Sequence, residues 1–98
     1  MELNIDQTLQ QAIVAHQEGK LVEAEKLYQK ILEIKPDHVK VYYNLSDIFY
    51  KLKKFNKAEI SIKKAIELKP DFAEAYYYLG IVFTYFGRFD EIEKNYKK

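Results

Sequence analysis

Residues 36–45 read PDHVKVYYNL, and residues 70–79, placed 34 positions later, read PDFAEAYYYL. The register between these stretches extends in both directions. When residues 19–45 are laid over residues 53–79, eleven of the 27 pairs are identical. A fixed period of about 20 to 50 residues is typical of proteins that stack copies of one small structural unit. The sequence therefore predicts a repeat protein whose unit has the length of this offset.

Each unit reads as two helices. In the middle unit, Tyr42, Leu45 and Phe49 follow the spacing of three and four residues that places side chains on one helix face. Pro70 ends the second helix of that unit, because proline lacks an amide hydrogen and disfavours helix at the preceding residue. The same pattern in all units predicts an all-α solenoid of about six helices. Their approximate ranges are 6–18, 21–34, 39–52, 55–68, 74–86 and 89–96.

Residues at the predicted helix ends carry recognisable signals. Asn4 or Asp6 can cap the first helix. Asp37 and Asp71 can cap the third and fifth helices. Gly19 separates the first two helices, since glycine takes a left-handed conformation at little cost.

Composition excludes several classes of function. Sixteen Lys and Arg face fifteen Asp and Glu, and the net charge is +1, so no field of one sign builds up to attract nucleic acid or an anionic membrane. Cysteine is absent, and the two histidines, His16 and His38, have no ligand-spaced partner. No apolar window is long enough for membrane insertion. We expect a cytoplasmic protein that is not an enzyme and holds no cofactor or metal.

Small and large residues recur in phase with the helices, as two helices require if they are to approach closely. This pattern resembles the tetratricopeptide repeat, a helix–turn–helix unit that has the same period. The small residues are Ala12, Ser46 and Gly80 on the first helices and Ala24 and Ala58 on the second. The large ones are Tyr28, Phe49 and Phe83.

Two departures from the family pattern lie at the ends of the chain. Thr8 and Gln11 stand where the family prefers an aromatic residue and a leucine, which suits a polar cap with no repeat before it. Ile92 replaces a small residue, and the sequence given stops at Lys98 before a closing helix. We expect a fragment of a longer protein or a self-associating one. Tyr42 and Tyr76 are assigned to the core.

The resemblance implies a single domain over residues 1–98. Its repeats cover about 5–38, 39–72 and 73–98, the last one truncated, and they stack as a right-handed superhelix. It also implies a protein-interaction scaffold that binds a peptide or a partner helix in the concave groove formed by the first helices. Asn44 is placed to hold a peptide backbone. The predicted binding residues are Lys40, Tyr43, Asn44, Asp47, Tyr50, Tyr77, Tyr78, Ile81 and Tyr85.

Some members of the family clamp the terminal carboxylate of chaperones with lysines, asparagines and an arginine. Only Asn44 fits that set here, so we do not expect this chain to bind chaperone tails. The other corresponding positions hold Leu9, Gln10, Tyr43, Glu74 and Tyr78.

Two other functions compete with peptide binding. The opening repeat resembles the leading repeats of some bacterial glycosyltransferases, so the chain is alternatively the non-catalytic N-terminal region of a larger enzyme. A third hypothesis is a homo-oligomer formed through the C-terminal end, near Ile92 and Tyr96.

Overall fold

The computed structural model of the chain describes residues 4–86, apart from the side chains of Tyr85 and Phe86. Every regular element in this range is a helix, and the all-α repeat fold is confirmed. The predicted sixth helix, residues 89–96, lies outside the described residues, and the division into three units stays a prediction. The five helices are α1 (Ile5–Gln17), α2 (Leu21–Ile34), α3 (Val39–Lys51), α4 (Phe55–Leu68) and α5 (Ala73–Phe86).

The helices pack in chain order. Helices α1 and α2 form one antiparallel pair and α3 and α4 the next, while α2 contacts α3 and α4 contacts α5. Small residues allow the close approach within each pair: Ala12, Ala24, Ser46 and Ala58 are all fully buried, as predicted. The helix expected to face Gly80 lies outside the described residues.

Contact between the first two pairs is apolar. Val41 and Ile48 on α3 are fully buried and belong to one core cluster with Ala12, Ala24 and Ile31 of the preceding pair. The residues 34 positions before Val41 and Ile48 are Gln7 and Val14, and both are exposed. A face that is covered in the second pair is therefore open to solvent in the first.

The polar cap predicted at the start of the chain is only half present. Gln11 is exposed, whereas its equivalent Leu45 is buried, so the exposure of Gln11 agrees with the prediction. Thr8 is 5% exposed, so its assignment to the cap was wrong. It lies one helical turn before the fully buried Ala12, on the side of α1 that meets α2.

The core assignment of Tyr42 and Tyr76 was also wrong. Tyr76 is 50% exposed and Tyr42 is only partly buried. Each hydroxyl donates to the carbonyl oxygen of a proline six residues earlier, Pro36 at 2.8 Å and Pro70 at 2.9 Å. Pro36 and Pro70 are exposed in loops between helices. The bonds to their carbonyl oxygens therefore hold the two tyrosine rings near the surface and not in the core.

Capping was predicted correctly only for α1, where Asn4 accepts a hydrogen bond from the amide of Gln7 at 3.1 Å. Asp37 does not cap α3, whose N-cap is His38. Asp71 lies two residues before α5 begins. Both aspartates instead follow a proline inside a tight turn. Its ends are joined by hydrogen bonds from His38 to Lys35 and from Phe72 to Lys69, and proline followed by aspartate suits the centre of such a turn.

The two turns between paired helices share one geometry. Gly19 and Lys53, which occupy equivalent positions in successive units, have positive φ angles of 78° and 63°. In each turn the next amide, of Lys20 or Lys54, reaches back to a carbonyl five residues earlier. A lysine in this left-handed region is strained, whereas a glycine is not.

Replacing Lys53 by glycine should therefore raise the free energy of unfolding by about 0.5 kcal/mol, because relief of the strain exceeds the added chain entropy. Urea denaturation followed by circular dichroism measures this. The matched change Gly19→Ala should lower stability by about 1 kcal/mol. Its added Cβ would meet no atom within 4 Å, so the loss reports the backbone alone. If Lys53→Gly lowered the free energy of unfolding as Gly19→Ala does, Lys53 would not be strained.

Within residues 4–86, no helix has the length and apolar character needed to cross a membrane.

Candidate functional site

Helices α1, α3 and α5 lie on one side of the structure, which we call the first-helix face. Polar side chains join them. His16 on α1 contacts Asp47 on α3, and Asp47 in turn accepts a hydrogen bond from Tyr78 on α5. Side chains thus connect three helices, α1, α3 and α5, across this face.

Asp47 is the centre of this connection, which we call the Asp47 bridge. Its Oδ2 lies 2.6 Å from Nε2 of His16 and 3.0 Å from Nζ of Lys51. Its Oδ1 accepts from the hydroxyl of Tyr78 at 2.8 Å. Both oxygens are engaged by donors, and the carboxylate is 27% exposed. Asp47 was predicted to face a ligand, but the structure gives it partners within the chain.

The environment of Asp47 favours its ionised form. Burial alone would raise the pKa of the carboxyl group, but the hydrogen bonds from Tyr78, His16 and Lys51 outweigh it and hold the pKa below its ordinary value of 3.8. The same burial raises the pKa of Tyr78, and the hydrogen bond to Asp47 raises it further. Tyr78 therefore stays a neutral donor.

A depression of about 460 Å³ opens between α1 and α3 beside the bridge. The Tyr28 hydroxyl reaches it from α2, although the Tyr28 ring is buried in the core. Burial raises the pKa of Tyr28 to about 12, partly offset by a hydrogen bond from Asn44. No carboxylate lines the depression. The residues around it are Ile13, His16, Gln17, Tyr28, Lys40, Asn44 and Lys51.

Tyrosines on the first-helix face pack mainly against one another. The ring of Tyr78 lies between those of Tyr43 and Tyr50, with centroids 6.0 and 5.9 Å away. Tyr43 also packs on Phe72 at 5.0 Å, and Tyr50 on Phe55 at 5.8 Å. These edge and tilted contacts are favourable aromatic arrangements, so three of the predicted binding residues hold α3 to α5.

The structure thus separates the predicted binding residues into groups. Lys40 and Asn44 line the depression, with Lys40 exposed. Tyr77 is 75% exposed and free to meet a partner, while Ile81 is half-buried. The side chain of Tyr85 lies outside the described residues. The residues that join helices within the chain are Tyr43, Asp47, Tyr50 and Tyr78. Binding by any member of the set stays a prediction.

Sequence reasoning missed the role of Tyr28, which it placed in the core as a space-filling ring. The signal available was its hydroxyl, since the equivalent position in the next unit holds Ile62. A buried tyrosine usually finds a polar partner, and here the partners are His16 and Asn44.

Potential metal-ligating side chains are scattered in the part of the chain that the structure describes. There, no three histidine or acidic side chains come close enough together to hold an ion. His16, the histidine on the first-helix face, is already bound to Asp47.

Three solved structures illustrate the likeness in fold. A crystal structure of MamA matches 96% of this chain with a TM-score of 0.87 at 23% identity. The second TPR domain of Spaghetti, bound to an HSP90 peptide, matches 95% with a TM-score of 0.84 at 19% identity. An O-GlcNAc transferase of Thermobaculum terrenum matches 85% with a TM-score of 0.68 at 21% identity.

The chain covers these structures to different extents: 55% of the MamA chain, 86% of the Spaghetti domain and 17% of the transferase. Identities this low show the fold alone. No curated protein matches the chain. A family model described as tetratricopeptide repeat matches residues 15–79, which is more than half of the chain and extends from α1 into α5. The chain therefore belongs to the tetratricopeptide repeat family.

Proposed function

We propose that this protein is an interaction scaffold that holds an extended peptide or a partner helix along the first-helix face. The observation that carries the proposal is the depression between α1 and α3, which amide, cationic and apolar side chains line together. Amides of Asn44 and Gln17 supply donors and acceptors, the rim carries Lys40 and Lys51, and Ile13 adds apolar surface. Convergent polar groups in a concave, partly apolar site are typical of ligand recognition.

Tyr77 extends this surface onto α5. Three quarters of its side chain is exposed, and tyrosine is frequent among binding hot spots because it offers a large area with few torsions to fix. An extended peptide that starts in the depression and continues to Tyr77 would contact all three units.

The Asp47 bridge supports the proposal indirectly. It holds α1, α3 and α5 together on the side where the guest would lie. A surface already fixed before binding loses less conformational entropy when it binds.

The experiment begins with selection of peptides on the full chain from a random display library. Affinity of the best peptide should be on the order of micromolar. Asn44→Ala and Tyr77→Ala should each weaken its binding by roughly tenfold, as expected for removal of one central contact. Fluorescence anisotropy of the labelled peptide measures the change.

Asn56→Ala and Tyr76→Ala are matched controls. Asn56 is exposed on α4, and Tyr76 is a half-exposed tyrosine adjacent to Tyr77. Both variants should bind the peptide as the unmodified chain does. A selected peptide that binds all four variants equally would remove the first-helix face from the proposal.

The transferase match favours a second candidate function, in which the repeats are a region of a larger enzyme. That enzyme carries this fold in 17% of its chain. Here the repeats would present a protein substrate and catalyse nothing themselves. The reading frame beyond the codon for Lys98 decides between the candidates: an immediate stop codon excludes the second.

Three expectations from the sequence stay predictions. One is self-association near Ile92 and Tyr96, which lie outside the described residues. The others are a cytoplasmic location and the lack of any catalytic activity.

A further inference from the structure

Charged side chains on the first-helix face fall into two groups. His16, Asp47 and Lys51 are bound to one another in the Asp47 bridge. Lys40 on α3 and Glu74 on α5 are exposed, and within residues 4–86 neither side chain forms a hydrogen bond or an ion pair. Glu74 follows Lys40 by one repeat, so the same position carries opposite charges on successive first helices. Both charges are available to a bound molecule.

Glu74 lies beside the ring of Tyr43. That ring packs on Phe72 at 5.0 Å and on Tyr78 at 6.0 Å, residues that precede and follow Glu74 along the chain. Tyr78 also donates to Asp47. Since α3 and α5 run parallel, the residues one helical turn earlier, Tyr43 and Glu74, lie side by side. Burial raises the pKa of the Tyr43 hydroxyl, and the negative charge of Glu74 raises it further, as a nearby carboxylate should.

Tyr77 adds a second aromatic surface near this carboxylate. It follows Glu74 by three positions, and residues at this spacing are neighbours on the surface of a helix. Most of the Tyr77 side chain is exposed. A carboxylate flanked by aromatic rings suits a lysine or arginine side chain, because it offers the cation an ion pair and ring faces together.

We propose that the first-helix face selects a peptide of mixed charge, in which a lysine or arginine side chain docks at Glu74, beside the tyrosine rings, and an acidic side chain docks at Lys40. The inference rests on the proposed function and specifies the chemistry of the guest. Lys40 and Lys51 both line the depression and no carboxylate does, so an acidic group meets only opposite charge there. A peptide with its two charges exchanged would be repelled at both points.

The separation of the helices sets the spacing of the two charges in the guest. Packed helices lie roughly 10 Å apart, and an extended peptide advances about 3.3 Å per residue. The basic and the acidic residue of a bound peptide should therefore be about three positions apart. Peptides selected on the full chain should share such a pair.

The test reverses one charge on each partner and measures fluorescence anisotropy at low salt, where screening is weak. Glu74→Lys should weaken binding of the selected peptide by about tenfold, since an attractive contact becomes a repulsive one. A peptide whose basic residue is replaced by glutamate should bind Glu74→Lys about tenfold more tightly than it binds the unmodified chain. Glu33→Lys is the matched control on the exposed surface of α2, and it should shift neither peptide by more than about twofold.

The contact at Lys40 is tested in the same way. Lys40→Glu is combined with a peptide whose acidic residue is replaced by lysine, and Lys30→Glu, also exposed on α2, is its control. Tyr77→Phe keeps the ring and removes the hydroxyl. It should bind the selected peptide within about twofold of the unmodified chain, because a cation is attracted by the ring face.

The outcomes separate this inference from the proposed function. Failure of either charge exchange to reverse the order of affinities would overturn the inference, and so would selected peptides that lack a basic residue. If Asn44→Ala still weakens the parent peptide in those cases, the proposed function stands. If no selected peptide depends on Asn44 or Tyr77, the proposed function itself fails.

Discussion

Replacing Ile48 by alanine should lower the free energy of unfolding by about 3 kcal/mol, as truncation of a buried isoleucine usually does. Ile48 is fully buried on α3, in the cluster that joins the first two helix pairs. Neighbouring helices cannot collapse into the space, because small residues have already brought them close. In a domain of this size the loss should lower the melting temperature by roughly 10–20 °C.

Val14→Ala is the matched control, since Val14 occupies the same position one unit earlier and is 48% exposed. We expect it to cost less than about 1 kcal/mol, because little apolar area returns to water. Thermal and urea denaturation followed by circular dichroism compare the two variants. Comparable losses at both positions would show that α3 does not bury this face against the first pair.

Asp47→Ala should destabilise the fold by about 2 kcal/mol, because His16 and Tyr78 would be left partly buried without their acceptor. The carboxylate binds His16, Lys51 and Tyr78, which lie on three helices. Asp71→Ala is the control, since Asp71 is exposed in the loop before α5. Its effect should lie within about 0.5 kcal/mol.

The contribution of Asp47 to the free energy of unfolding should also depend on pH, and it should fall in acid. Its pKa is lower in the folded state than in the unfolded chain, so folding favours the ionised form. The stabilisation is complete above the unfolded value of about 4 and is lost as the pH falls through the folded value. The stability gap between the unmodified chain and Asp47→Ala should therefore close in acid. A gap that stays constant down to pH 2 would contradict the ionic assignment.

Helix bounds were the part of the fold best predicted from the sequence. The repeat period and the small residues at Ala12, Ala24 and Ala58 define α2 and α4 to the residue, and the other described helices to within one. Local patterns were enough because each helix packs mainly against its neighbours in the chain.

The Asp47 bridge was beyond that reasoning, because it depends on how neighbouring units are displaced. Its two hydrogen bonds between different helices, from His16 to Asp47 and from Tyr78 to Asp47, each join residues 31 positions apart. A separation of 31 residues is about one helical turn shorter than the repeat of 34 residues. Side chains that meet across neighbouring first helices therefore lie about one turn away from equivalent positions. Ile13 and Asn44, both at the depression, have the same separation. Polar pairs at this separation are therefore the signal to seek in such a sequence.

Tyrosines were harder to assign because each ring has an apolar body and a polar tip. Tyr76 and Tyr77 are adjacent, and both are exposed, yet the hydroxyl of Tyr76 is bound to its own loop. Tyr76 differs from Tyr77 because its hydroxyl reaches the carbonyl oxygen of Pro70 in the preceding loop. The amino-acid composition does not reveal the position of that oxygen.

One carboxylate that serves the units before and after it has a consequence for how the chain melts. In a linear array of repeats, the ends can fray while the centre persists if neighbours are weakly coupled. Here the loss of either outer unit removes a donor from Asp47, so the middle unit is weakened from whichever side opening starts. Cooperative, all-or-none unfolding is the behaviour such a shared anchor favours.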